Sequence, residues 1–206
     1  MKLRYLLVLA AIPWLGACSD DNDDGDGNGG GNGGGNGGGE RNTPWAFCGP
    51  ANSCPPNTSG ADLTTPVSFR TDIFGPIFQV SCNDATCHGI EGAARGDLWL
   101  GPPNGEATDE MMQTIIDNML TASATAPEMP NVVPGDPSRS FLMLKVDGCQ
   151  DAAGLTCTSQ PGALCGTACG DSMPQFDDPG GELDFPLPAE QTHKIRAWIA
   201  QGAQNN

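Results

Sequence analysis

The chain has 206 residues, of which 38% are hydrophobic and 6% aromatic, and its formal charge is −16. That charge excludes a surface built for nucleic acid or anionic lipid headgroups, and it would steer a basic docking partner in a salt-dependent way. Roughly 140 residues, from about Asp62 onward, suffice for a single domain with one core. So few aromatic side chains make that core thin, and it would gain from disulfides or from a large apolar prosthetic group.

The N-terminus places Lys2 and Arg4 before an apolar run over residues 5–12. Pro13 follows, and then the small-residue site Leu15-Gly16-Ala17-Cys18. This is the layout of a signal peptide over residues 1–17. The run is about half the ~20 residues a spanning helix requires. The tetrad ending at Cys18 resembles a bacterial lipobox, which implies lipidation of Cys18 and a lasting anchor through two or more acyl chains. Ser19 stands where an Asp would signal inner-membrane retention. The resemblance therefore implies the periplasmic side of the outer membrane, with the inner membrane and the cell surface as alternatives, and membrane contact through the lipid alone.

Residues 18–43 are rich in Asp and Asn and then almost entirely Gly and Asn, which reads as a disordered tether with a mean reach of roughly 25–30 Å. Asp20-x-Asn22-x-Asp24-Gly25 opens like a calcium-binding loop, but Gly31 takes the position of the bidentate Glu, so solvated linker is the better reading. Residues 44–61 form a Cys-containing extension, and 62–206 the folded domain.

Four helices are predicted in that domain. Thr65-Pro66 is a cap and first-turn pair; Phe69, Ile73, Phe74, Ile77 and Phe78 recur at helical spacing up to Cys82, with a kink at Pro76. Thr108 opens a second helix with the stripe Met111, Met112, Ile115, Ile116, Met119 and Leu120. Asp136-Pro137 starts a third, carrying Phe141, Leu142 and Leu144. A fourth runs from near Pro188, buries Ile195, Trp198 and Ile199, leaves His193 on the solvated side, and stops at Gly202. No alternating strand pattern appears, so the domain is expected to be mainly α, with long disulfide-stapled loops.

Besides Cys18, eight cysteines remain: Cys48, Cys54, Cys82, Cys87, Cys149, Cys157, Cys165 and Cys169. In an exported chain they read as bridges and special-purpose thiols. Four bridges would use all eight, and three would leave one pair for a cofactor. Neighbour pairing gives Cys48–Cys54, Cys149–Cys157 and Cys165–Cys169.

The stretch with specific chemistry is Cys82-Asn83-Asp84-Ala85-Thr86-Cys87-His88-Gly89. Two thiols can add to the two vinyl groups of haem while the histidine beside the second reaches the iron. Phe78 precedes it; Val133-Pro134-Gly135-Asp136-Pro137, Ser140-x-Leu142, Met173-Pro174 and Ile195-Arg196-Ala197-Trp198-Ile199-Ala200-Gln201-Gly202-Ala203 follow in order.

Together these segments resemble the single-haem, class I cytochrome c-like domains of bacterial lipoproteins. The family's usual motif has two residues between the cysteines and this one has four, so Asn83-Asp84 are expected to bulge outward as a turn. The resemblance implies a cytochrome c-like helical fold with Phe78 meeting Trp198 where the first and last helices cross. It further implies covalent haem c on Cys82 and Cys87, His88 as proximal iron ligand and Met173 as distal ligand. Met129-Pro130 repeats the Met-Pro dipeptide and is the rival. The implied role is electron transfer between redox proteins, not enzymatic turnover.

The alternative is a haem-free binding or structural lipoprotein with Cys82 and Cys87 bridged. An enzyme has little material, with only His88 and His193 available for a catalytic triad. Zinc fits poorly, because adjacent Cys87 and His88 point badly at one ion and no second ligand pair closes a tetrahedron.

Overall fold

A computed structural model of the chain describes Cys54, Pro56 and residues 59–158, 169–174 and 187–206. The expected signal peptide and tether, Cys18, Cys48 and Cys165 lie outside the described residues. Within them the protein is helical, without strands; an isolated bridge joins Ala122 to Pro130.

The first helix, α1, starts at Phe69 and not at Thr65-Pro66. The Asp62 carboxylate accepts from the hydroxyls of Thr64 and Thr65, so Thr65 is occupied in a turn and is not a cap. Ser68 caps instead: its Oγ accepts from Thr71 N, and its own N donates to the Asp72 carboxylate.

Over Phe69–Phe78 the helix is π-helical, closing with an α-helical turn at Gln79–Ser81. Pro76 explains why the kink expected there becomes a widened helix. Pro76 has no N–H, and in an α-helix its ring would crowd the carbonyl four residues back; a wider turn relieves that crowding. The face formed by Phe69, Ile73, Phe74, Ile77 and Phe78 is buried as expected.

Helix α2 spans Asp109–Met119 and is capped by Thr108, whose side chain accepts from Met111 N. Met112, Ile115, Ile116 and Met119 are buried, Met111 is half-buried, and Leu120 is exposed, just beyond the helix end.

The third predicted helix is two pieces. Asp136 caps a 3-10 turn at Pro137–Arg139, and α3 runs over Phe141–Val146. Ser140, extended at φ −103°, separates them. Its hydroxyl accepts from Val133 N and donates to Asp136 O, pinning the preceding loop at the expense of helical continuity. All six residues of α3 are buried, Lys145 among them.

Helix α4, Ala189–Ala200, buries Ile195, Ala197, Trp198 and Ile199 and gives way to a left-handed Gly202 at φ +105°. His193 is half-buried, contrary to the solvated placement. Its ring fills the space over Gly60, where an added Cβ would stand 2.3 Å from it.

Helices α1 and α4 meet through an aromatic stack, but Phe69, not Phe78, provides it. Phe69 and Trp198 have ring centroids 5.0 Å apart at 30°, and Phe78 packs edge-on against Phe69 at 5.9 Å. Asn206 reinforces the junction by accepting from Phe69 N, Arg70 N and the Ser68 hydroxyl. A buried ion pair, Arg196 to Asp147 at 2.6 Å, joins α4 to the end of α3.

Two disulfides replace the neighbour pairings. Cys54 pairs with Cys149, 95 residues away, and Cys157 with Cys169, 12 residues away. Cys48–Cys54, Cys149–Cys157 and Cys165–Cys169 are thereby corrected. A 3-10 turn at Gln150–Ala153 leads the chain away from Cys149, whose sulfur faces a second apolar cluster of Ala126, Met129, Phe141 and Leu144. Cys54 reaches that cluster from the N-terminal side. In the chain-entropy account the long loop is worth about 4–5 kcal/mol and the short one about 3.

Truncating the stacked indole tests this arrangement. Trp198→Ala is expected to cost about 3–5 kcal/mol in urea unfolding, and a loss below 1 kcal/mol would show that the α1–α4 junction does not rest on it.

Candidate functional site

The two cysteines and the histidine sit on a loop whose shape comes from turn chemistry. Asp84 accepts from the backbone N and hydroxyl of Thr86, and these bonds hold its carboxyl below the ordinary carboxylate range. Its carbonyl accepts from Cys87 N and Gly89 N, and the Cys82 carbonyl from His88 N.

Asn83 does not bulge outward. It is fully buried, and its amide donates to Leu100 O at 2.9 Å, so the longer spacing makes room for an inward anchor, with Asp84 and Ala85 exposed. Gly89 is required by this anchor, because a Cβ there would lie 2.1 Å from the Asn83 carbonyl oxygen.

Residues 95–100 run beside the loop and satisfy four successive carbonyls. Arg95 Nε donates to Thr86 O and Arg95 N to Cys87 O; Leu100 N donates to His88 O, and the indole of Trp99 to Gly89 O. A loop held this way leaves no backbone acceptor over residues 86–89 unmet.

The loop forms one wall of a cavity with about 1140 Å3 of empty space, its open mouth included. Cys82, Cys87, His88 and Met173 all line it, with apolar neighbours Phe78, Leu98, Leu100, Phe141, Leu142, Val146 and Ile195. Met129 is elsewhere: its side chain is buried in the second cluster.

Cys82 and Cys87 are thiols, outside both disulfides, unlike the bridged pair of the haem-free alternative. Burial, and secondarily Cys87, push the Cys82 thiol up to about 12. His88 Nδ1 lies 2.8 Å from the Leu98 carbonyl, which fixes the proton on Nδ1 and leaves the ring's lone pair on Nε2. Burial lowers the pKa of His88; the bond to Leu98 opposes this, and the charges of Lys145 and Arg95 add to it. The imidazole is thus kept in the neutral form that binds metals. Among the described residues no group of three or more His, Cys, Asp or Glu side chains is arranged to hold a metal ion.

Residues 169–174 reach the cavity from the stapled region. Asp171 and Met173 line it, and Lys145 and Arg95 bring cations to its wall. Sequence reasoning missed Asn83, Arg95, Trp99, Lys145 and Asp171. A signal existed for Lys145 alone, as the single charge within Phe141-Leu142-Met143-Leu144-Lys145-Val146.

No family model matches the chain, and neither does any curated protein or solved structure.

Two outcomes follow. Gly89→Ala is expected to cost about 1–3 kcal/mol through overpacking against Asn83, read by thermal unfolding; a neutral effect would deny the close approach.

The second concerns pH. Burial pulls the Lys145 amine from 10.5 down to about 8, against Asp171 and Asp151. Between those values the unfolded chain holds more protons, so this residue makes stability rise with pH. The stability of Lys145→Met minus that of the parent should therefore shrink from about pH 7.5 to about pH 9.5 in urea titrations. A constant difference would show that the amine is not desolvated.

Proposed function

We propose that the domain is a c-type cytochrome, an electron carrier with one covalently attached haem. The observation that carries this reading is the convergence of two thiols, an imidazole with its Nδ1 proton fixed and a thioether on one apolar cavity. The donor set fits the group. Cys82 and Cys87 would hold it as thioethers, sulfur bonding one vinyl carbon and hydrogen the other. His88 Nε2 would be the proximal ligand and Met173 sulfur the distal one; the burial of Met129 in the second cluster favours Met173 over it.

Bound haem would supply one-electron exchange at iron, and a His/Met pair would set its potential above that of two histidines. This chain's residues exclude water and fix ligand orientation. The cytochrome c-like fold belongs to the same proposal and is supported by the packing of α4 against α1, whose end leads into the loop that bears the motif.

The signal peptide and lipobox-like tetrad support a lipid-anchored protein on the periplasmic side of the outer membrane, carried on the residue 18–43 tether. The charge, −18 once Lys2 and Arg4 are removed, favours redox partners with basic docking faces.

The test is the full chain produced in a periplasm with haem-attachment machinery. A red protein is expected, with a reduced α band, the mass of one haem, and colour that survives acid-acetone extraction. Met173→Ala should keep the haem, lose the ferric thioether band and lower the potential. A colourless protein, made where a control cytochrome matures, would overturn the reading.

A further inference from the structure

Residues 169–173, which deliver Met173 to the cavity, have no helix or strand of their own. Lys145 meets them at both ends. Its backbone carbonyl accepts from Met173 N at 2.9 Å, and its ammonium donates to the Cys169 carbonyl at 3.0 Å. Between these, the Gln150 amide donates to Gly170 O at 2.9 Å. The segment also passes so close to the end of α3 that a Cβ at Gly148 would stand 3.1 Å from the Ser172 hydroxyl. The Cys157–Cys169 bridge fixes the segment's near end covalently.

We propose that Lys145 is the positioning residue that sets the approach of Met173 to the haem iron, clamping residues 169–173 to α3 at both ends; this rests on the haem reading above. Every other side chain of α3 is apolar, and Lys145 is 8% exposed with its ammonium 5.8 Å from the Phe141 ring centroid. Burying an ammonium there opposes folding. A leucine would fill the helix's inner face without that cost. What leucine lacks is a donor long enough to reach the Cys169 carbonyl, and without that bond Cys169 itself is held by the disulfide, which fixes a distance and not an orientation.

Lys145→Met keeps most of the stem and removes the donor. In the full-chain holoprotein the variant is expected to keep the haem mass and the reduced α band. It should lose at least half of the ferric thioether band and bind imidazole about tenfold tighter, because Met173 then competes less well for iron. Lys145→Arg, which restores a donor of sufficient reach, should recover most of both.

A Lys145→Met holoprotein with the parent's ferric band and imidazole affinity would overturn the clamp and leave the haem reading standing. A colourless parent protein would overturn the haem reading itself. Should Lys145→Met not fold, the parent holoprotein carries a second readout. The Met173 amide, donated to Lys145 O, should exchange with solvent at least about tenfold slower than an unprotected amide, and exchange at the unprotected rate would overturn the proposal.

Discussion

The stack of Phe69 on Trp198 is the contact from which the rest of the domain is arranged. It joins the first and last helices, and the segments between them depend on that closure for burial. The loop with the two thiols leaves the end of α1, so its position follows from how α1 lies on α4. The ion pair of Arg196 with Asp147 extends the same junction to α3 and, through α3, to residues 169–173. Both walls of the cavity are therefore referred to one aromatic contact, and Asn206 holds the start of α1 against drift.

Around that frame the site is made mostly of irregular backbone given definite shape by hydrogen bonds. Four consecutive carbonyls of the motif loop are met by residues 95–100, and the loop's interior is filled by the Asn83 amide. The motif loop resembles a rigid element in behaviour although residues 82–89 form no helix or strand, because its polar groups have partners whose loss would leave a desolvated acceptor. The exception is the Asn83 side-chain oxygen, buried without a partner, which marks where this loop is least satisfied.

Local periodicity made the helices legible, since the apolar faces of α1, α2 and α4 are dictated by spacing and remain whatever the tertiary context. Their edges were less so. Thr65 looked like a cap, but Asp62 competed for its hydroxyl, and Ser140 looked helical until its own hydroxyl was needed to hold a loop. Cys82, Cys87, His88 and Met173 stood out because thiols, imidazole and thioether in that order suggest one chemistry. Asn83, Lys145 and the disulfide partners did not. Asn83 reads as a surface turn former unless one knows that Leu100 offers a carbonyl 17 residues away. Cysteine pairing depends on which sulfurs the finished fold brings together, and sequence proximity is a poor guide when Cys149 faces a cluster that Cys54 enters from the far end of the chain.

That long-range bridge bears on how the protein matures. Under the export proposed above, Cys54 emerges well ahead of Cys149, 95 residues later, and must stay unpaired, or pair wrongly and be released, in between. Cys82 and Cys87 emerge in the interval, and each is a nearer partner than the native one. An oxidase that joins cysteines in order of appearance would trap Cys54 with Cys48 and Cys82 with Cys87, consuming both thiols of the cavity. Under that export, productive assembly requires thiol–disulfide exchange to outrun premature oxidation, so the supply of a disulfide isomerase, more than of oxidant, would govern how much of the chain reaches this structure.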